Sequence, residues 1–251
     1  MASPLSLSPP ARSLRTRSRH GAAVLMALAA GTLLYQSASR AADQARSLPP
    51  PAVDLRPAAG EPHRLESVIL AGGCFWGVQG IFEHVRGVKS ATSGYAGGTA
   101  ETADYESVSA GTTGHAESVR VVYDPSKISY GEILRIFFSV ALDPTEVNRQ
   151  GPDTGTQYRS EIFTTRPEQA DEARAYIAQL DQAHIFSRPI ATQITPVSGF
   201  YPAETYHQDY LVRHPDNPYI AINDLPKVRA LQRLFPEFYL EQPVLVLRPA
   251  A

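Results

Sequence analysis

A chain of 251 residues, 43% hydrophobic and 19% charged, suits one globular domain with appendages or two small domains. Its single cysteine, Cys74, excludes an intramolecular disulfide and any structural zinc site of Cys2His2 type or richer in cysteine. Metal binding through histidine and carboxylate stays open on composition alone.

In chain order, residues 1–20 carry Arg12, Arg15, Arg17 and Arg19 and no acid, and 21–35 form the apolar run GAAVLMALAAGTLLY. With the small residues of Ser39-x-Ala41 they predict an export signal over 1–41, cleaved near Ala41. The run is short of the roughly 20 residues that a membrane span needs, so an uncleaved N-terminal anchor is the alternative reading. Without 1–41 the chain keeps 18 basic against 25 acidic residues. That balance argues against nucleic acid or an anionic membrane as partner. Export predicts a periplasmic location, where disulfides persist and a lone thiol is either reactive or selected to avoid mispairing.

Residues 42–64 hold five prolines and no apolar period, the pattern of a linker. The folded catalytic domain is expected over 65–240, with 241–251 as a C-terminal tail. Residues 65–71 read as a buried strand, broken by Gly72-Gly73. From Cys74, the residues Val78, Ile81, Phe82 and Val85 recur at helical spacing, with Gln79, Glu83 and Arg86 on the other face. Residues 91–116, rich in Gly, Thr and Ser, are expected to be a long loop. A strand is expected over 117–125, a helix over 130–141 ended by Asp143-Pro144-Thr145, and a strand over 158–165. Then follow a helix over 167–183 with Pro167 near its start, a strand and irregular chain over 189–201, and a closing helix over 227–235. The order β-α-β-α-β-α-β with long loops predicts an α+β fold, a ferredoxin-like α/β sandwich with a mixed sheet and flanking helices.

The chemistry centres on GGCFWG, residues 72–77. Cys74 is placed in the first turn of a helix, where free N–H groups and the helix dipole favour a thiolate. The paired glycines read as removing bulk so that a substrate can approach. Phe75 and Trp76 cannot both join the core stripe, so an apolar pocket for a small alkyl group is expected beside the sulfur. Glu117 shares a strand face with Val119, Val121 and Tyr123; a carboxyl on an apolar face keeps its proton and serves as a general acid. Tyr95, Tyr105 and Tyr158 fall in loops or at strand starts, where a phenol can donate to a polar oxygen. A rival constellation pairs Cys74 with His115 or His207 as a cysteine hydrolase or acyltransferase. Glu204 and His207 have metal-ligand spacing but no third ligand, so no metal is expected.

GGCFWG, GYAGG, TTGHAESVRVVYDP, DPTEVNRQGPDTGTQYRSEIF and FYPAETYHQDYL stand in order across about residues 67–212. Together they closely resemble the A-type peptide methionine sulfoxide reductases. The resemblance implies a ferredoxin-like α+β core and reduction of the S epimer of methionine sulfoxide, free or in proteins. It implies Cys74 as nucleophile, Phe75 and Trp76 around the substrate's S-methyl group, and Glu117 as the acid that protonates the sulfoxide oxygen. Tyr105 and Tyr158 match tyrosines that bind that oxygen, and Asp153 matches a residue near the substrate backbone and a bound water. No bound cofactor is expected. Many relatives carry further cysteines that resolve the sulfenic acid formed at the nucleophile, whereas here neither Ser109 nor the tail FYLEQPVLVLRPA offers sulfur. An external thiol is therefore expected as reductant: a thioredoxin-like protein, a glutaredoxin system or a small thiol. The expected partners are methionine sulfoxide-containing proteins or peptides, acted on by a monomer.

Overall fold

The computed structural model describes residues 45–54, 56 and 64–247. The expected export signal over 1–41 lies outside the described residues.

The central strands are β1 (Glu66–Gly72), β2 (Val88–Ala96), β3 (Ala116–Tyr123) and β6 (Ser160–Thr164). Helix α1 (Phe75–Glu83) connects β1 to β2, and α3 (Tyr130–Ile136), prolonged by a π turn over Phe137–Ala141, lies between β3 and β6. The four strands lie in the order β6-β1-β3-β2, every neighbouring pair antiparallel. This is the β-α-β-β-α-β arrangement of a ferredoxin-like unit. A short helix α2 (Tyr105–Ser109) precedes β3, and the two-residue strands β4 (Arg149–Gln150) and β5 (Asp153–Thr154) form a separate hairpin. Helix α4 (Pro167–Gln182) follows β6, with Pro167 in its first turn as the sequence suggests.

Strands β7 (Gln193–Pro196) and β8 (Phe200–Pro202) occupy opposite edges of the six-stranded sheet, in the order β7-β6-β1-β3-β2-β8. Only residues 197–199 separate them, a link that spans at most about 14 Å when extended. Six flat strands would hold their edges roughly 24 Å apart. The sheet is therefore curled until its edges nearly meet. Val197 and Phe200 pack there against Ile69, Ala71, Ala96, Ala116 and Phe163, and the Arg120 guanidinium lies 4.9 Å over the Phe200 ring. The other face carries the main core, where Val68, Leu70, Val119 and Val121 meet Val78, Ile81 and Phe82 of α1. Helix α5 (Tyr210–Arg213), a π turn over Ile220–Asp224 and α6 (Leu225–Leu234) complete that side.

Four expectations need correction. Strand β2 occupies residues expected to be loop, because the side chains it buries are small or polar. Ser93 is fully buried, its Oγ donating to Gln79 Oε1 at 2.9 Å and its N–H to Gln208 Oε1 at 3.0 Å. The supposed polar face of α1 is buried too: Gln79 enters this network and Glu83 is 0% exposed. The strand and irregular chain expected over 189–201 hold two short strands, β7 and β8, the second where irregular chain was expected. Finally, the described part of the linker is docked onto the domain rather than free. Leu48 is buried, Tyr176 donates to the Pro49 carbonyl at 2.8 Å, Arg135 to the Leu48 carbonyl at 2.7 Å, and Gln179 to the Pro50 carbonyl at 3.0 Å. The tail is docked likewise, with Val244 N–H on the Glu83 carbonyl and the Val246 and Leu247 N–H groups on Asp209.

Replacing the docked Leu48 tests this arrangement. Leu48→Ala is expected to lower stability in urea by about 2–4 kcal/mol, as for other buried leucines. A free spacer would give no change.

Candidate active site

Strand β1 delivers the chain to Gly72 and Gly73, and Gly73 turns it with φ +90°. A Cβ on Gly73 would lie 2.5 Å from Gln150 Cβ, and one on Gly72 would lie 2.9 Å from the Phe137 ring. The glycines therefore make room for neighbouring protein, not for substrate as their sequence context suggests. Cys74 follows as the N-cap of α1, one residue before the expected helical position, and is half-buried.

A helix leaves its first N–H groups without partners inside the helix. Here the Phe75 N–H donates to Glu117 Oε2 at 3.0 Å, while the Cys74 side chain makes no capping hydrogen bond of its own. Glu117 lies on the helix-facing side of β3 with Val119 and Val121, as the strand pattern predicts, and is 3% exposed. Burial pushes its carboxyl up to about 8; the Phe75 N–H opposes that, and Asp153 and Asp224 add to it. At neutral pH Glu117 holds its proton.

The expectation of a thiolate does not survive. Burial is the largest influence on Cys74, followed by Glu117 and Asp224; together they raise its thiol well above the ordinary range. The Trp76 N–H works the other way and is outweighed, with Asp153 adding to the rise. A helix end is worth about 0.3–2 kcal/mol, too little against burial among carboxyls. The resting sulfur is a thiol.

The aromatic residues stand as a wall. Phe75 is buried, its ring centroid 5.0 Å from that of His207 and 5.9 Å from that of Tyr95. Trp76 is half-buried, stacked on Tyr210 with centroids 3.9 Å apart and planes 10° from parallel. Its indole N–H donates to His207 Nδ1 at 3.1 Å. Tyr105 opens α2 and gives its N–H to Glu204 Oε1 at 2.9 Å, while Tyr95 gives its phenol to Glu204 Oε2 at 2.8 Å. Tyr95 is thus a buried strand residue that braces Tyr105 through Glu204, not a loop donor. The Tyr105 and Tyr158 phenols are raised chiefly by burial and then by Glu117, and both also feel Cys74. Asp153 accepts a hydrogen bond from the Tyr219 phenol, and its carboxyl is raised mainly by burial. The structure brings Cys74, Phe75, Trp76, Tyr105, Glu117, Asp153 and Tyr158 into one electrostatic neighbourhood.

Neither histidine pairs with Cys74. His115 accepts from the Gly98 N–H on Nδ1 at 3.2 Å and meets the Thr99 carbonyl through Nε2 at 2.9 Å. His207 uses Nδ1 on Trp76, and burial lowers its basicity. Among the described residues no group of three or more His, Cys, Asp or Glu is placed to hold a metal ion. Sequence reasoning missed Tyr210, Tyr219 and Asp224. Asp224 stands just before Leu225-Pro226, where an acid reads as an ordinary helix start, and nothing local reveals that it packs on Gly77.

A lone thiol beside a neutral carboxylic acid, with phenols near both and no histidine on the sulfur, defines an acid-assisted cysteine enzyme rather than a cysteine–histidine hydrolase. The family model described as peptide methionine sulfoxide reductase matches residues 66–237, and this chain belongs to that family. It is 58% identical over 182 residues to peptide methionine sulfoxide reductase MsrA 2 of Mesorhizobium japonicum, covering 72% of this chain and 93% of that protein. It is 49% identical over 210 residues to MsrA 2 of a Synechocystis species, covering 84% of this chain and 95% of the relative. Among solved structures, reduced Mxr1 of Saccharomyces cerevisiae matches with TM-score 0.56 and 32% identity, covering 66% of this chain and 92% of that one. Methionine sulfoxide reductase A of Corynebacterium diphtheriae matches with TM-score 0.53 and 34% identity, covering 69% of this chain and 89% of that one. The chain is an oxidoreductase of methionine sulfoxide, and its α+β fold is that of these relatives.

Burial of a neutral Glu117 has a stability signature. An unfolded glutamate releases its proton near 4.5, whereas the folded carboxyl holds it to about 8. Between these values the folded state binds more protons, so stability falls as pH rises and the loss levels off above the upper value. Glu117→Gln removes this contribution. Its unfolding free energy is expected to gain on that of the wild type from about pH 5 to about pH 8, reaching a difference on the order of a few kcal/mol, with its melting temperature rising relative to the wild type over the same range. Parallel melting curves for the two proteins across that range would contradict a neutral Glu117.

Proposed function

We propose that this protein reduces the S epimer of methionine sulfoxide, in proteins and free, through a sulfenic acid on Cys74 that an external thiol regenerates. The observation that carries this reading is the Phe75 N–H bond to Glu117, which fixes a proton-bearing acid beside the only cysteine in the chain.

The Cys74 sulfur attacks the sulfoxide sulfur while Glu117 protonates the departing oxygen, where negative charge would otherwise build. Tyr105 and Tyr158 donate to the same oxygen, and the substrate methyl rests against Phe75 and Trp76. Asp153 lies toward the substrate backbone. The thiol proton is released as the sulfur–sulfur bond forms, so oxygen transfer needs no net proton. The oxygen passes to the Cys74 sulfur as the substrate S–O bond and the transient sulfur–sulfur bond break, methionine leaves, the released thiol proton restores Glu117, and Cys74 is left as a sulfenic acid. One external thiol then displaces the hydroxyl as water to give a mixed disulfide. A second displaces Cys74 and completes an external disulfide. A thioredoxin-like protein, a glutaredoxin system or a small thiol fits this role, and substrate proteins meet a monomer.

Export to the periplasm is part of the proposal, supported by the basic head, apolar run and Ser39-x-Ala41 of the first 41 residues. No helix among the described residues is long and apolar enough to cross a membrane. N-terminal sequencing of the exported protein is expected to begin near Ala42; an intact Met1 on membrane-bound protein would favour the anchor.

Turnover driven by DTT on separated sulfoxide epimers is expected for S only, and turnover of R alone would overturn the reading. Glu117→Gln should slow the reaction by about 10²- to 10⁴-fold, the usual worth of a general acid. Dimedone is expected to trap one adduct, on Cys74, after sulfoxide is added without reductant. Absence of that adduct would remove the sulfenic acid from the cycle.

A further inference from the structure

Asp224 closes the π turn over Ile220–Asp224 and is 0% exposed. It packs against the first turn of α1: a Cβ on Gly77, three residues beyond Cys74, would fall 2.2 Å from Asp224 Oδ1. Its Oδ1 meets Lys227 Nζ at 3.5 Å, a loose pair whose lysine is 18% exposed. Its Oδ2 is buried without a hydrogen-bond partner. A wholly buried carboxyl left half unsatisfied is costly, and this one lies where a helix presents its positive end to a nucleophile.

We propose that Asp224 is a positioning residue for the sulfur chemistry, acting on Cys74 through the first turn of α1, where its buried carboxylate offsets the positive helix end and keeps the resting sulfur a thiol. This rests on the sulfoxide-reductase reading of the site and deepens it. A thiol reacts slowly with peroxides, whereas a thiolate oxidises readily and, past the sulfenic step, irreversibly. With one cysteine, the chain has no second thiol to capture a sulfenic acid formed by accident. Holding the sulfur protonated reserves it for a substrate whose oxygen Glu117 protonates.

The charges facing this carboxyl are few. Lys227 on α6 stabilises its ionised form, and Asp153 on β5 opposes it. Cys74 at the head of α1, Glu117 on β3 and Tyr219 before the π turn each feel Asp224 in turn. Burial, the largest influence, leaves Asp224 titrating at about 6, so at neutral pH it is mainly a carboxylate.

Alkylation of the substrate-free protein by iodoacetamide, followed by the mass of the peptide that contains Cys74, tests the proposal, because Cys74 is the only cysteine. Asp224→Asn, close in shape and uncharged, is expected to move the pH profile of alkylation down by about one unit, roughly tenfold faster at a fixed neutral pH. Superimposed profiles, with circular dichroism matching the wild type, would overturn the role. Should the variant not fold, the wild type decides alone: log rate against pH is expected to bend near pH 6, where Asp224 gains its proton. The bend must persist in Asp153→Asn; a straight line of unit slope, or a bend lost with Asp153, overturns the proposal. Failure of the sulfoxide-reductase reading would show separately, as absent DTT-driven turnover in a wild type whose alkylation profile still bends.

Discussion

The hydrogen bond from the Phe75 N–H to Glu117 Oε2 ties two elements that the chain forms 42 residues apart. One is the turn out of β1 and the other is the start of β3, and the sheet makes them neighbours. In the β1–β3 register Leu70 lies opposite Val119, and two residues further along, Gly72 comes level with Glu117. The fold thus places the acid where the nucleophilic turn begins, and the helix N-terminus supplies the donor that fixes its orientation. On its other side, Glu117 pairs across with Tyr95 of β2, whose phenol reaches Glu204 and, through it, Tyr105. One backbone donor therefore organises acid, nucleophile and a phenol together.

That arrangement places several acids in a site with little cationic compensation. Glu117, Asp153 and Asp224 all carry carboxyls raised mainly by burial, and Lys227 is the cation paired there. Buried acids that titrate at different pH values take different roles, as the neutral Glu117 and the mainly ionised Asp224 do. The same physics recurs at the far end of α1. There Glu83 is pushed up to about 9 by burial and by Asp209, while Asp209 receives the N–H groups of Val246 and Leu247. Gln79, between the two ends, bonds to the Ala91 carbonyl, Ser93 and Gln208. Helix α1 is thus held by polar contacts on the side that looks solvent-facing in sequence.

How much was legible follows from this. A single Cys followed by Phe and Trp, and a Glu in step with apolar strand residues, announce themselves because each violates the local pattern. Strand β2 does not, since Ser93, Gly94 and Ala96 are buried by hydrogen bonds and small size rather than by hydrophobicity. Pro49 and Pro50 look like spacer, yet their carbonyls are acceptors for Tyr176 and Gln179, and no side-chain pattern encodes that. The thiolate expectation failed for a related reason: the helix dipole is a local property readable from position, whereas Asp153 and Asp224 arrive from distant parts of the chain. Asp224 was invisible because its effect is exerted on residues some 150 positions earlier.

The docking of the tail has a consequence for how sulfur could be added to this scaffold. Leu240 and Val244 are tied to His84 and Glu83, at the C-terminal end of α1, while Cys74 caps the other end. Nine helical residues separate them by about 13 Å, and a disulfide requires Cα atoms within about 7 Å. A cysteine grafted at 240 or 244 would stand beside the helix that carries its target and still be out of reach. Turning this chain into one that closes its own bond is therefore a question of rerouting a backbone path, not of exchanging a residue.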